Sequence, residues 1–372
     1  MAATARPLRA PYRCVECGAT VTPDATVWRC PHCGGLLDVD SFAVAAPDPG
    51  DHARPGLWRY LPALPLVPDS GWERATMGEG ATALVLLDPS RPGVLAKVDF
   101  AMPTRSFKDR GAAVLLATAA GLGAERVIVD SSGNAGTAVA AYAARLGLDC
   151  RVFVPVATTP AKLAAVIASG ARVEVVDGSR EDTATAAQST VAQTGAFYAS
   201  HVYQPVFHHG VKTMLWEVVE SLGRAPDTLV LPAGNGTYVL GCALATDELL
   251  RLGLIDQRPR IVAVQAAACA PLAAAFAAGA DAAAPVTNTG TAADGIAIAA
   301  PPRARQVLAA VRRSGGSFVT VDEGQIAAAH AWLAGKGWPV EPTAAATVAG
   351  WRAVAAEREL DGTTVLPLCG AR

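Results

Sequence analysis

The sequence predicts an α/β chain of about two domains, built on parallel sheets covered on both faces, with a small cysteine-rich module in front. Three observations predict it. Short β-rich runs at 126–130, 151–155, 172–176, 228–232, 261–265, 318–321 and 364–367 alternate with alanine-rich helical stretches. That alternation is the pattern of parallel strands joined by helical crossovers. The chain has 372 residues, 51% hydrophobic and 17% charged, enough for two buried cores. Four of its eight cysteines cluster between positions 14 and 33.

The module at 10–40 carries Cys14-x-x-Cys17 and Cys30-x-x-Cys33, with twelve residues between the pairs. This spacing predicts a four-cysteine structural zinc ribbon, the alternative being a knuckle that folds without metal. Gly18 and Gly34 follow the pairs and permit tight thiolate-binding turns, and His32 reads as a bystander. No open ligand position is evident, so the metal's expected role is structural. The remaining cysteines, Cys150, Cys242, Cys269 and Cys369, are scattered, which argues against a disulfide framework and for a reducing compartment.

A connector is expected at 41–54, within a stretch carrying Pro47, Pro49, Pro55, Pro62, Pro65 and Pro68 and little regular structure. With a net charge of −2, nothing points to nucleic acid or an anionic membrane surface as a partner, and neither is expected. No apolar stretch would span a bilayer, and residues 1–10 lack the apolar region of a signal peptide. A cytoplasmic protein is the expectation.

Lys108 is the first candidate for chemistry. It lies in Ser106-Phe107-Lys108-Asp109-Arg110-Gly111, ahead of an apolar run at 112–120. Ser106 and Asp109 stand in capping-box spacing, which predicts a helix start there. A lysine at a positive helix end, beside an arginine and among apolar neighbours, is biased toward the free amine, which can form a Schiff base with an aldehyde cofactor. A lone first-turn lysine is more often solvated, and the following motifs decide against that. After the expected strand 126–130 come Ser131-Ser132-Gly133-Asn134-Ala135-Gly136 and a helix at 137–146 closed by Gly147. Small hydroxyls and bare amides at a helix N-terminus make a site for a carboxylate or phosphate. After strand 228–232 comes Ala233-Gly234-Asn235-Gly236-Thr237, again leading into a helix, where backbone N–H groups can cradle a phosphate. It is neither GxGxxG nor a Walker loop, which demotes dinucleotides and ATP.

In that order the motifs resemble the threonine synthase family of fold-type II pyridoxal-phosphate enzymes. The likeness covers roughly 55–370. It includes Gly78-Glu79-Gly80 with Thr82, Gly210-Val211-Lys212-Thr213, 232–236, Val264-Gln265 and Glu341-Pro342-Thr343-Ala344-Ala345. The resemblance implies two three-layer parallel-sheet domains, tryptophan synthase β-like. A smaller domain at 98–202 and a larger one from 55–97 and 203–372 would hold pyridoxal 5′-phosphate in the cleft. Lys108 would carry the cofactor and shuttle protons. Asn134 would contact its 3′-oxygen, and Gly234, Asn235, Gly236 and Thr237 its phosphate. Cys369 would face the ring nitrogen. Ser131, Ser132, Gly133 and Ala135 would hold the carboxylate of an amino-acid substrate. A homodimer is the family expectation.

Three departures bear on substrate. Where the family holds a substrate phosphate with an Asn-Ser pair and an arginine, this chain has His201, Val202 and Phe207. A valine and a phenylalanine cannot pair a phosphate dianion. The usual glycine before Ser106 is Arg105, a candidate substrate-binding charge or a solvated one. Cys369 replaces Thr or Ser, as in serine and threonine dehydratases, and the chain ends at Arg372 without the usual Gly-Leu-Lys. His208 and His209 read as a loop pair touching solvent, with one lining a substrate pocket as the alternative. The readings are threonine synthase (O-phosphohomoserine to threonine and phosphate), a serine/threonine dehydratase or β-replacement enzyme of specialised metabolism, and a non-catalytic zinc-ribbon scaffold.

Overall fold

Most of the parallel strands lead through a short turn into a helix, and the turns after Arg126–Val129 and Thr228–Pro232 carry glycine. The computed structural model describes residues 7–48, 53–357 and 362–371 and divides into two compact units. One takes Met1–Glu79 and Lys108–Gly210, the other Gly80–Phe107 and Val211–Arg372. Parts of the leader, connector and chain-end expectations (1–6, 49–52 and Arg372) lie outside the described residues.

In the first unit, a three-stranded antiparallel sheet forms the cysteine-rich module, with Tyr12–Cys14 between Thr20–Val21 and Leu37–Val39. A four-stranded parallel sheet follows, in the order Arg172–Val176, Asp149–Pro155, Arg126–Val129, Phe197–Tyr198. Helices Lys108–Gly121 and Asn134–Leu146 pack against each other. The first is buried from Asp109 through Ala119, which is why it is alanine-rich all round and not amphipathic.

The proline-rich stretch departs from expectation. Residues Gly56–Ala63 form a 3₁₀ helix that buries Leu57, Trp58, Tyr60, Leu61 and Ala63. Those bulky side chains outweigh the prolines, because their apolar area is worth more against a core than in water. Trp58 and Tyr142 both donate to the buried Glu79 carboxylate (Trp58 Nε1 to Oε1, 2.5 Å; Tyr142 Oη to Oε2, 2.9 Å), and the Met77 N–H donates to Oε2 at 2.8 Å. Glu79 of the Gly-Glu-Gly motif is thus a buried hub that ties the 3₁₀ segment to helix Asn134–Leu146.

The second unit holds a six-stranded sheet in the order Ser317–Val321, Arg260–Ala266, Thr228–Pro232, Thr364–Pro367, Val94–Lys97, Leu84–Leu86. All neighbours run parallel except the last pair. Strands Thr228–Pro232 and Thr364–Pro367 are buried at every position, which accounts for their continuous apolar character. Among the described residues no helix is long and apolar enough to cross a membrane.

Candidate active site

Lys108 is the first residue of helix Lys108–Gly121 and is half-buried. The capping box does not form. Ser106 instead makes an isolated antiparallel bridge with Gly370, and its buried hydroxyl has no hydrogen-bond partner among the described residues. With the helix starting at Lys108, Ser106 lies one position too early to cap it. The segment before the lysine is bound to the C-terminal strand: the Phe107 N–H donates to Cys369 O (2.9 Å), and the Ala371 N–H donates to Arg105 O (3.0 Å). Arg105 itself sits at φ +62°, the left-handed region, with an exposed side chain. The family's glycine adopts that region without strain; arginine does not. Phe107 stacks on Tyr238 at 3.9 Å between centroids, and Tyr238 Oη and Thr82 Oγ1 each donate to Asp99 at 2.7 Å.

Two further residues face this helix within the first unit. Phe207 is fully buried, and a Cβ at Gly111 would lie 2.4 Å from its ring. Phe207 therefore packs on the lysine's helix through a glycine-sized gap. His201 lies beyond the carboxyl end of Phe197–Tyr198 and is buried. Burial first, then the charges of Lys108, Arg180 and His208, holds its imidazole well below the ordinary histidine range, so it is neutral at pH 7. His208 and His209, expected as a solvent-touching loop pair, are buried on helix Val206–Leu222. An apolar helix face carries them inward. Lys212 of the Gly-x-Lys-Thr motif is buried and paired with Glu248 at 2.5 Å.

The 131–136 loop leaves strand Arg126–Val129 and enters helix Asn134–Leu146. The helix N-cap, Gly133, makes no side-chain cap bond, which leaves the helix end without the usual Ser or Asp cap. Ser131 is buried, Ser132 and Asn134 half-buried, and the Gly133 N–H donates to Ser131 Oγ at 3.4 Å. In the second unit the 233–236 loop leaves Thr228–Pro232 and enters Thr237–Arg251. Its N-cap, Gly236, has φ +76° and likewise no side-chain cap; a Cβ at Gly234 would lie 2.6 Å from Gly295 O. Asn235 and Thr237 are buried, and Gln265 Nε2 donates to Ala233 O at 2.9 Å. Cys369 is fully buried just past strand Thr364–Pro367, the neighbour of Thr228–Pro232. Adjacent parallel strands thus deliver the glycine loop and the thiol from their carboxyl ends, where open α/β sheets bind ligands.

In the cysteine-rich module all four sulfurs lie within 4.8 Å of one another, with Cys14–Cys33 at 3.5 Å and Cys17–Cys30 at 3.7 Å. Tetrahedral zinc with Zn–S of about 2.3 Å sets sulfurs roughly 3.8 Å apart, so the cluster fits that ion. The Cys14 thiol is lowered to about 7: burial opposes this, and N–H groups of Cys17 and Glu16 outweigh it. Gly18 and Gly34 take φ of +70° and +74°, and His32 is exposed outside the cluster.

In the first unit, a lysine at a helix start and an uncapped helix N-terminus behind a glycine-bearing loop suit an aldehyde cofactor and a carboxylate; in the second, an uncapped helix N-terminus behind a glycine-bearing loop suits a phosphate. Each set is what a pyridoxal-phosphate enzyme requires. The family model described as "Pyridoxal-phosphate dependent enzyme" matches residues 75–370. The threonine synthase of Mycobacterium tuberculosis is 34% identical over 297 residues, covering 78% of this chain and 80% of its own. That of Methanosarcina acetivorans is 33% identical over 352 residues, covering 91% and 85%. Among solved structures, maize serine racemase superposes with TM-score 0.68 at 22% identity, covering 78% of this chain and 88% of its own. Threonine deaminase isoform 2 from Solanum lycopersicum gives TM-score 0.69 at 22%, covering 78% and 79%. The chain belongs to the threonine synthase family of fold-type II pyridoxal-phosphate enzymes and is a pyridoxal-phosphate-dependent lyase. That sets aside the non-catalytic scaffold.

Sequence reasoning named His201 only as a departure from the family's phosphate-binding positions, and it missed Asp130 and the strain at Arg105. His201 and Asp130 sit at the carboxyl ends of parallel strands, a position that would have found Asp130; strand Phe197–Tyr198 has two residues and leaves no periodicity to read.

Proposed function

We propose that this lyase removes a β- or γ-substituent from a small amino acid, with O-phosphohomoserine the first substrate and threonine and phosphate the products. The observation that carries the reading is the uncapped N-terminus of helix Asn134–Leu146, packed beside the helix that Lys108 opens. Ser131, Ser132, Gly133 and Ala135 orient the substrate carboxylate there. Lys108 Nζ anchors the cofactor and moves the proton at the reacting carbon. Asn134 meets the cofactor's 3′-oxygen, and Gly234, Asn235, Gly236 and Thr237 receive its phosphate on backbone N–H groups. Pyridoxal 5′-phosphate, when bound, supplies the electron sink for breaking the Cα–H bond. Cys369 faces the ring nitrogen, where a thiol does not hold a full proton as a carboxylate would.

A second reading has its own support. Phe207 and Val202 are buried apolar residues, and His201 is a neutral imidazole, at the places where the family pairs a substrate phosphate. An unphosphorylated substrate such as L-serine or L-threonine leaves no dianion there unpaired. Arg105 is the candidate charge in compensation. Incubation of the holoenzyme with each substrate separates the two: threonine with inorganic phosphate supports the first, an oxoacid from L-serine or L-threonine the second.

The four cysteines hold a structural zinc. Metal analysis is expected to give about one zinc per chain. Cys30→Ser should lose most of it while the visible absorbance of the lysine-bound cofactor stays, since the cluster offers no open coordination position; metal retained by the variant would remove Cys30 from the ligand set.

A further inference from the structure

The cysteine-rich module is wired into the loop just assigned to the substrate carboxylate. Trp28 and Arg29 immediately precede Cys30, one of the four clustered cysteines. The Trp28 ring meets Tyr198 edge-on at 4.9 Å and Tyr203 at 5.2 Å. Arg29 lies over Trp28 and Tyr203, its Cζ 4.8 and 4.7 Å from the two ring centres, and its Nη2 donates to Tyr203 Oη at 2.9 Å. Gln204 Nε2 donates to Val27 O at 3.3 Å, a second tie across the same seam. Tyr198, 1% exposed, then donates its Oη to Asp130 Oδ1 at 2.8 Å. Asp130 is the residue directly before Ser131, and Arg180 Nη1 donates to its carbonyl at 3.4 Å. Every contact lies within one compact unit.

We propose that the four-cysteine module positions the 131–136 loop, with Trp28 and Arg29 clamping Tyr198 and Tyr203, and Tyr198 fixing Asp130 as a positioning residue. The geometry supports this better than a purely protective role for the module. A ribbon that served only to cover surface would end in exposed side chains, whereas these aromatic and guanidinium groups run in unbroken contact from a cysteine ligand to the loop. Aromatic pairs and a guanidinium over a ring each add to area burial, and they act together here on one tyrosine. Loss of the clamp leaves the phenol and the half-buried carboxylate free to separate, and the loop's N–H groups lose their aim.

The effect on substrate binding rests on the carboxylate reading of the loop; the effect on loop order does not. The test is hydrogen exchange by mass spectrometry on the holoenzyme, comparing peptides over 130–136 in the unaltered chain, Trp28→Ala and Tyr198→Phe. Tyr198→Phe removes one hydroxyl and keeps the ring, so the core stays filled. Both variants are expected to exchange about tenfold faster over 130–136, with peptides over 260–266 unchanged; tenfold corresponds to about 1.4 kcal/mol. KM for whichever of O-phosphohomoserine, L-serine or L-threonine is turned over should rise by a similar factor, with kcat and cofactor absorbance nearly constant, and Trp28→Phe should restore most of both. Chelating the metal from the unaltered chain should reproduce the exchange change. Unchanged exchange over 130–136 in both variants overturns the proposal. Faster exchange with an unchanged KM overturns the carboxylate reading of the loop and leaves the positioning intact.

Discussion

Replacing Lys108 with alanine is expected to lower turnover by about 10³-fold or more and to abolish the visible Schiff-base absorbance, with the far-ultraviolet dichroism unchanged. The magnitude follows from two functions lost together. In the proposed role of Lys108, the substitution removes the amine that anchors the cofactor and the group that carries the proton at the reacting carbon, the latter alone typically worth about 10²–10⁴-fold. The fold should survive because Lys108 is only half-buried, opens its helix and is followed by residues buried from Asp109 through Ala119. Alanine is also a better helix former than lysine. Absorbance spectroscopy with added pyridoxal 5′-phosphate, run beside the activity assay, checks both halves. A visible band that survives the substitution would show that another amine holds the cofactor.

The parts of this molecule that could be read in the sequence are those whose chemistry constrains the backbone itself. Strands Arg172–Val176, Thr228–Pro232 and Thr364–Pro367 have the bounds expected, because continuous apolar or β-branched runs end at glycine, proline or a polar turn. The 131–136 and 233–236 loops stand out for a related reason: each puts glycine at the N-cap of the following helix, where Ser or Asp is usual. What escaped reading depends on tertiary partners. Ser106 has a capping residue's identity and spacing, yet its backbone is taken by Gly370, some 260 residues away in sequence. His208 and His209 look like a polar pair, but they fall on the inner face of a helix whose neighbours are Val206, Phe207 and Val211. Trp58 and Tyr60 sit among prolines and still enter the core, because Glu79 supplies an acceptor for the indole N–H. For Ser106 and Trp58 a non-local contact overrode the local signal.

The same principle sets the largest expected loss of stability. Glu217→Ala should destabilise the chain by about 3–5 kcal/mol, the range for breaking a buried ion pair from one side. Lys97 is fully buried on strand Val94–Lys97 and reaches Glu217 Oε2 at 2.6 Å, with Thr82 O as a second acceptor. The same carboxylate accepts the N–H groups of Ala81 (2.8 Å) and Thr82 (3.2 Å). It therefore holds Ala81 at φ +48°, a conformation that alanine rarely adopts, directly after Gly80 at φ +89°. Alanine at 217 leaves the buried Lys97 ammonium without its counter-charge and removes the acceptor of the Ala81 and Thr82 N–H groups. Because the cost lies in the abandoned partner, Lys97→Met combined with Glu217→Leu should recover most of the loss, although neither residue is then charged. Urea midpoints for the single and double variants decide the matter: a double variant no more stable than Glu217→Ala would mean that the two backbone donors, and not the orphaned lysine, dominate the penalty.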